Sequence, residues 1–334
     1  MEDKIARKLT VLLGNDEYGK ELAIDFSTVK HLLVAGCTGS GKSVLLHKII
    51  ATLLENNSPQ ELKFIMVDPK IIELPVYNEV PHLLTPVITD QKKTVLALKW
   101  TAKEMSRRYD VFKENKCRSI QEYNGAEKMP RIVIVIDELS DSMQTYPKET
   151  EPAILKIAQM GHVAGIHLIL STSRPSTKVF TVSIRDAISA RIAFQTASIQ
   201  DSKVIVGIED ACKLRGAGDM LFRDGLKYPI HGQIDLISHD DVKSLCKRLQ
   251  NTYKDYVPAE VAVSESSDET HDDLYDEACE AVVSAGAAST SYIQRKLGVG
   301  YSRAAQLMDM LESKGVIGPA QGSKPRRVIP ESKN

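Results

Sequence analysis

The sequence predicts an α/β protein: a nucleotide-binding core on a mostly parallel, doubly wound sheet, followed by a small winged-helix (α+β) domain. Three observations predict it. Residues 31–43, HLLVAGCTGSGKS, run from an apolar strand pattern into a complete G-x-x-x-x-G-K-S. Beyond it, short apolar runs alternate with amphipathic helical stretches, the spacing that builds parallel sheets through helical crossovers. From residue 272 the pattern changes to three short helices and a stretch rich in Gly, Pro and basic residues, as in a helix-turn-helix module with a wing.

Residues 1–30 lead in with a charged, helix-like start and then the run Leu9 to Gly14, LTVLLG, which reads as a strand expected to lie beside the phosphate-loop strand. The loop itself, Gly36, Cys37, Thr38, Gly39, Ser40, Gly41, Lys42 and Ser43, is the candidate ATP site. Its glycines let successive N–H groups turn toward an anion, and the following helix adds its positive end. Lys42 is placed to reach the β- and γ-phosphates, and the Ser43 hydroxyl to enter a Mg²⁺ shell.

Val44 to Glu55 has helical apolar spacing and stops at Asn56-Asn57-Ser58-Pro59. Lys63 to Val67 is a buried-type strand that finishes in Asp68-Pro69-Lys70, on the edge of an open α/β sheet where ligands bind. Lys92 to Asn115 reads as one long helix covering the sheet. The five β-branched residues 132–136 then predict a strand buried on both faces, closed by Asp137-Glu138. Following a phosphate loop, such a pair points to hydrolysis: Asp137 to hold Mg²⁺ through water, Glu138 to orient or deprotonate the attacking water.

A helix over Glu149 to Gly161 and a strand over His167 to Thr172 follow. The strand runs into Ser173-Arg174-Pro175-Ser176, either a γ-phosphate sensor or a capped turn. Ala190 to Gln195 is a strand with one charge, Arg191, and Met220 to Phe222 and His231 to Ile237 complete the sheet.

Other chemistries find no support. A formal net charge of −1 excludes a broadly basic protein, so nucleic-acid contacts must come from local patches. Aromatic residues are too sparse for a platform that stacks single-stranded bases. The five cysteines form no C-x-x-C pair, which favours free thiols in a reducing cytoplasm, and the eight histidines show no metal-ligand spacing. Serine in a G-x-S-x-G elbow is lacking, and every apolar run is strand-sized, so no membrane segment is expected.

Residues 258–271, PAEVAVSESSDETH, are acidic and poor in large apolar side chains, the composition of a flexible linker. The tail then reads as a helix over Asp272 to Ala285, a second capped by Ser289 and ending at Lys296, and a third over Tyr301 to Lys314. In the third, Tyr301, Ala304, Ala305, Met308 and Leu311 share the expected buried face, leaving Ser302, Arg303, Gln306 and Asp309 outward as candidate DNA contacts. Residues 316–328 carry Lys324, Arg326 and Arg327, as the basic tip of a wing would. On these residues alone, a protein-binding helical module with the same core is an alternative.

The residues resemble a known family, the FtsK/SpoIIIE double-stranded DNA translocases. The similarity is carried by LTVLLG, HLLVAGCTGSGKSV, FIMVDPKIIELPVYNEVPHLLTPVITD, EMSRRY, Tyr123-Asn124, IVIVIDELSD, AGIHLILSTSRPS, ARIAFQTASIQDSKVI and GAGDMLF. The tail from Asp272 to Val328 is similar to the family's γ domain. The resemblance implies a RecA-like motor over 31–257 that forms a hexameric ring around duplex DNA and pumps it by ATP hydrolysis. It further implies a γ domain over 272–330 that reads oriented DNA sequences, and a role for Arg191 on the neighbouring subunit's nucleotide.

Three features depart from the family pattern. The membrane and α domains that usually precede the motor are absent or nearly so, so a soluble, cytoplasmic protein is expected. Ser173 stands where the family has Gln, and Ser302, Gln306 and Asp309 stand where it usually has Asn, Arg and Glu. Two other functions fit parts of the sequence. A conjugative coupling or secretion ATPase shares the motor but has little use for a duplex-reading tail, and a nucleotide-switched DNA-binding regulator has little use for Glu138.

Overall fold

A strand that is apolar at every position is stable only where both faces are covered, and the run 132–136 therefore demands a sheet with helices on either side. The computed structural model, which describes residues 8–125, 129–225, 228–256, 274–318 and 326–329, has that architecture. The chain divides into two compact units, Met1–Glu265 and Ser266–Asn334.

In the first unit the strands are β1 (Thr10–Asp16), β2 (Glu21–Asp25), β3 (Leu32–Ala35), β4 (Leu62–Val67), β5 (Arg131–Ile136), β6 (Ile166–Thr172), β7 (Ala190–Phe194), β8 (Asp219–Asp224) and β9 (Ile230–Ile234). The helices are α1 (Lys42–Asn56), α2 (Gln91–Glu114), α3 (Leu139–Thr145), α4 (Pro147–Met160), α5 (Val182–Ala187), α6 (Ile199–Val206) and α7 (His239–Thr252). One sheet runs β2-β1-β9-β8-β7-β3-β6-β5-β4. Its block β7-β3-β6-β5-β4 is wholly parallel. From β7 outward to β2, each strand is antiparallel to its neighbour.

Alternate side chains feed two cores. Ile132, Ile134 and Ile136 pack on the face covered by α2, α3 and α4, while Val133 and Val135 pack on the face covered by α1 and α7. Burying aliphatic side chains of this size stabilises the fold by about 1.5–3 kcal/mol each.

The run LTVLLG forms β1, but it pairs with β2 and β9, and β9, β8 and β7 separate it from the phosphate-loop strand. Both edges of β3 are taken by β6 and β7. A parallel neighbour also needs a long crossover, whereas β2 follows β1 after a four-residue turn and offers a hairpin. The stretch read as a lead-in thus supplies two strands of the motor sheet.

The second unit contains α8 (Tyr275–Ala285), β10 (Ala287–Ala288), α9 (Thr290–Leu297), α10 (Tyr301–Ser313) and β11 (Arg326–Arg327). Ser289 caps α9 by accepting from the Tyr292 N–H. The pair β10–β11 is antiparallel, and Ile317 bridges to Val328. The buried stripe of α10 is Ala304, Leu307, Met308 and Leu311, an i, i+3, i+4, i+7 set. Tyr301 opens the helix one turn before that stripe and is 69% exposed, so its expected place in the core belongs to Leu307. The acidic stretch 258–271 lies outside the described residues. No helix among the described residues is long and apolar enough to cross a membrane.

Candidate functional site

Parallel pairing brings the carboxyl ends of four neighbouring strands to one edge. Ala35 lies beside Thr172, and Val67 beside Ile136, so the residues that follow each strand converge there. They are the phosphate loop after β3, Asp68 after β4, Asp137-Glu138 after β5 and Ser173 after β6.

The loop is pinned from behind. Cys37 donates its N–H to the Gln195 carbonyl at 2.7 Å, and the Gly218 N–H donates to the Ser40 carbonyl at 2.9 Å. At Gly41, which precedes α1 with φ of 125°, a Cβ would stand 2.9 Å from both the Gly218 Cα and the Phe194 ring. Only glycine fits where the backbone comes so close. Ser40 is buried, with its hydroxyl donating to the Cys37 carbonyl, whereas Thr38 and Gly39 are exposed at the tip.

Lys42 Nζ folds back over the loop and donates to the Gly36 and Cys37 carbonyls, both at 2.8 Å. Burial lowers its pKa against the opposing pull of Asp137 and Glu138. Ser43 is half-buried in the first turn of α1.

Asp137 and Glu138 have opposite electrostatics. Burial, reinforced by the charges of Asp68 and Glu138, pushes the Asp137 carboxyl up to about 6. Burial would also raise Glu138, but hydrogen bonds from Lys70, Ser140, Ser173 and Thr172 outweigh it and hold the group down to about 2. Its carboxylate accepts from Lys70 Nζ at 2.7 Å, Ser140 Oγ at 2.6 Å, Thr172 Oγ1 at 2.7 Å, the Ser173 N–H at 3.1 Å and the Ser173 hydroxyl. Glu138 itself adopts a left-handed backbone, φ 66°, between β5 and α3.

The fold therefore brings together the loop, Lys42, Ser43, Asp137 and Glu138. Arg191 is not among them. It pairs in register with Leu33, three residues before the loop. Its guanidinium donates to the carbonyls of Ile188 and Ile205 at 3.1 and 3.2 Å, and to that of Arg185. Burial and the neighbouring charges of Arg223 and Arg185 lower its pKa to about 10.

Residues that sequence reasoning left without a role here are Lys70, Ser140, Thr172, Gln195 and Gly218. A signal existed for three of them: Lys70 and Thr172 sit at or just past strand ends, and Gly218 belongs to the glycine-rich run 216–218.

In the second unit, Arg303 and Asp309 are exposed on α10, and Arg327 is exposed on β11. Ser302 and Gln306 also fall on α10, and Lys324 lies outside the described residues. Arg326 is drawn back onto α10, ion-paired with Glu312 and within 3.9 Å of Asp309. Sequence alone does not reveal that pairing, because it depends on the register of β11 against β10.

Residues 2–129 and 124–177 match the FtsK/SpoIIIE family, and residues 269–331 match the FtsK γ domain. The chain belongs to the FtsK/SpoIIIE family. It is similar to the DNA translocase FtsK of Caldanaerobacter subterraneus subsp. tengcongensis, 43% identical over 331 residues that cover 96% of this chain and 46% of that protein. It is also similar to the DNA translocase SpoIIIE of Bacillus subtilis, 42% identical over 346 residues, 98% of this chain and 44% of the other. The chain thus spans less than half the length of these family members. Among solved structures, the pCW3 conjugation coupling protein TcpA, in monomer form with ATPγS, aligns with a TM-score of 0.64 and 27% identity over 72% of this chain and 70% of that one.

Proposed function

We propose that this chain is the motor and sequence-reading part of an ATP-driven double-stranded DNA translocase that works in the cytoplasm as a homo-hexameric ring. The observation that carries this reading is the conjunction in one chain of a hydrolytic phosphate-loop site with a γ domain, in a family whose similar members are DNA translocases.

The residues present fit ATP with Mg²⁺. Lys42 holds its ammonium over the loop, where anionic phosphate would replace the two carbonyls as its partner. Asp137, raised to about 6 beside Asp68 and Glu138, is a carboxylate that a cation would relieve. Ser43 and, through water, Asp137 would hold Mg²⁺, which supplies charge neutralisation for the phosphates. Glu138 then orients and deprotonates the attacking water, and Lys42 stabilises charge on the terminal phosphate.

Arg191 acts in trans. This reading is supported by the family resemblance and by its isolated charge at the start of β7; to reach a neighbour's nucleotide its guanidinium would leave the Ile188, Ile205 and Arg185 carbonyls. Arg303 and Arg327 provide phosphate contacts for the γ domain, and Lys324 is proposed to join them. Base reading falls to Ser302, Gln306 and Asp309. Arg326, already paired with Glu312, serves mainly to fasten the wing strand to α10.

ATP turnover with linear duplex, single-stranded DNA or neither tests this reading. Stimulation by duplex well above single strands supports it. Preferential stimulation by single strands supports the conjugative-coupling alternative, and indifference to both supports the switch-type regulator.

A further inference from the structure

The two oxygens of Glu138 are held in different ways. Oε1 accepts from Ser140 and Thr172, whose residues have no solvent exposure. Oε2 accepts from Lys70 Nζ and from the Ser173 hydroxyl, while the Ser173 N–H lies 3.1 and 3.3 Å from the two oxygens. A carboxylate offers about four acceptor positions, and the donors already converging on this one fill them. A general base must accept a proton from water within hydrogen-bond reach. As built, Glu138 is well oriented and closed to water.

The donors that can leave are those on Oε2. The Lys70 side chain is 45% exposed while Glu138 is 5% exposed, and Ser173 is half-buried. Lys70 is nevertheless aimed with care. The buried Asp68 carboxylate accepts the N–H groups of Lys70, Ile71, Ile72, Glu73 and Leu74, folding residues 68–74 into a tight turn. Ile71 adopts φ 59°, a left-handed conformation that β-branched residues rarely take. A chance surface ion pair would not need an anchored turn with a backbone outlier beside it and a second outlier at Glu138.

We propose that Lys70 is a positioning residue that latches Glu138: it closes Oε2 in the resting motor, and water activation requires Lys70 to withdraw. The buried hydroxyls on Oε1 keep the carboxylate aimed while the latch opens. The Lys70 side chain is the moving part, swinging from a turn that stays anchored on Asp68, and turnover without DNA is limited by how seldom it leaves Oε2. This inference rests on the reading of Glu138 as the base.

The test is steady-state ATP turnover of the full chain without DNA. Lys70→Met keeps the stem and removes the cation, and it should raise kcat roughly three- to tenfold, the range for a partly exposed charge-assisted contact, with KM little changed. Lys70→Arg should bring the rate back toward wild type. Ser173→Ala, which removes the other detachable side-chain donor, should move kcat in the same direction as Lys70→Met and guards against a folding artefact at one position. In a Glu138→Gln background, Lys70→Met should have no effect. A kcat that is unchanged or lower in Lys70→Met, in a protein whose turnover depends on Glu138, overturns the latch. Turnover that is unaffected by Glu138→Gln overturns the base assignment first and the latch with it, so the two failures are distinguishable.

Discussion

Asp137→Asn should make the nucleotide-free protein more stable while abolishing its turnover. The Asp137 carboxyl rises from an ordinary value of 3.8 to about 6 because burial and the charges of Asp68 and Glu138 disfavour its ionised form. A folded-state pKa above the unfolded one means that the folded protein binds the proton more tightly. Ionised Asp137 therefore costs stability at neutral pH, and the cost fades as pH falls from about 6 to 3.8. The full difference corresponds to about 3 kcal/mol, which partial solvent access reduces to about 2 kcal/mol. For a unit of this size that is a rise in Tm of roughly 4–8 °C. Asparagine keeps the shape and removes the charge. Thermal unfolding of the motor transition at pH 7.5, in chelator and without nucleotide, should show this gap, and the gap should close near pH 4. Added Mg²⁺ and a non-hydrolysable nucleotide should stabilise the wild type more than the variant. A variant less stable than wild type at pH 7.5, or a gap independent of pH, would refute the electrostatic argument.

Glu138 carries the opposite sign, because its folded pKa of about 2 lies below the ordinary 4.5. The stability it contributes is present above pH 4.5 and lost as pH falls toward 2, so Glu138→Gln should reduce stability at neutral pH and converge with wild type in strong acid, as read by chemical denaturation. The same variant should still bind ATP while its turnover falls by about 10²- to 10³-fold, and Lys42→Ala should lose nucleotide binding, both checked by equilibrium binding beside steady-state kinetics. Mixing inactive Arg191→Ala with inactive Lys42→Ala subunits should restore part of the ATPase activity through intact interfaces. Recovery in no mixture, although mixed rings form and either mutant works alongside wild type, would reject action in trans. Gln306 suits adenine N6 and N7, where the family's arginine suits guanine, so selection from random duplexes should yield an A·T pair at that position. Gln306→Arg should shift it toward G·C by about 1–3 kcal/mol of discrimination.

The phosphate loop, its helix and the central strands were legible because each rests on local rules: glycine spacing, period-3.6 burial and an all-apolar run that no other structure accommodates. The edge of the sheet was less so. LTVLLG reads as a strand whatever its neighbour, and its pairing with β2 and β9 is decided by turn length and by β6 and β7 already flanking β3. The short helix α3 was missed because it starts directly after Glu138, whose left-handed backbone has no composition signal. The same holds within the site. Asp137 and Glu138 look equivalent in sequence, yet one is raised by burial among acids and the other lowered by donors that arrive from 34 and 68 residues away. Tyr301 was misplaced because an apolar stripe does not reveal where its partner helices begin.

The central claim, that hydrolysis at this site moves duplex DNA, is tested most directly by displacement of a third strand from a duplex by this chain. The account predicts rapid release that requires ATP, fails with Lys42→Ala and Glu138→Gln, and takes longer as the triplex is placed farther from the loading site. Release that proceeds without ATP hydrolysis, or a chain that binds duplex and turns over ATP but leaves the third strand in place, would contradict it.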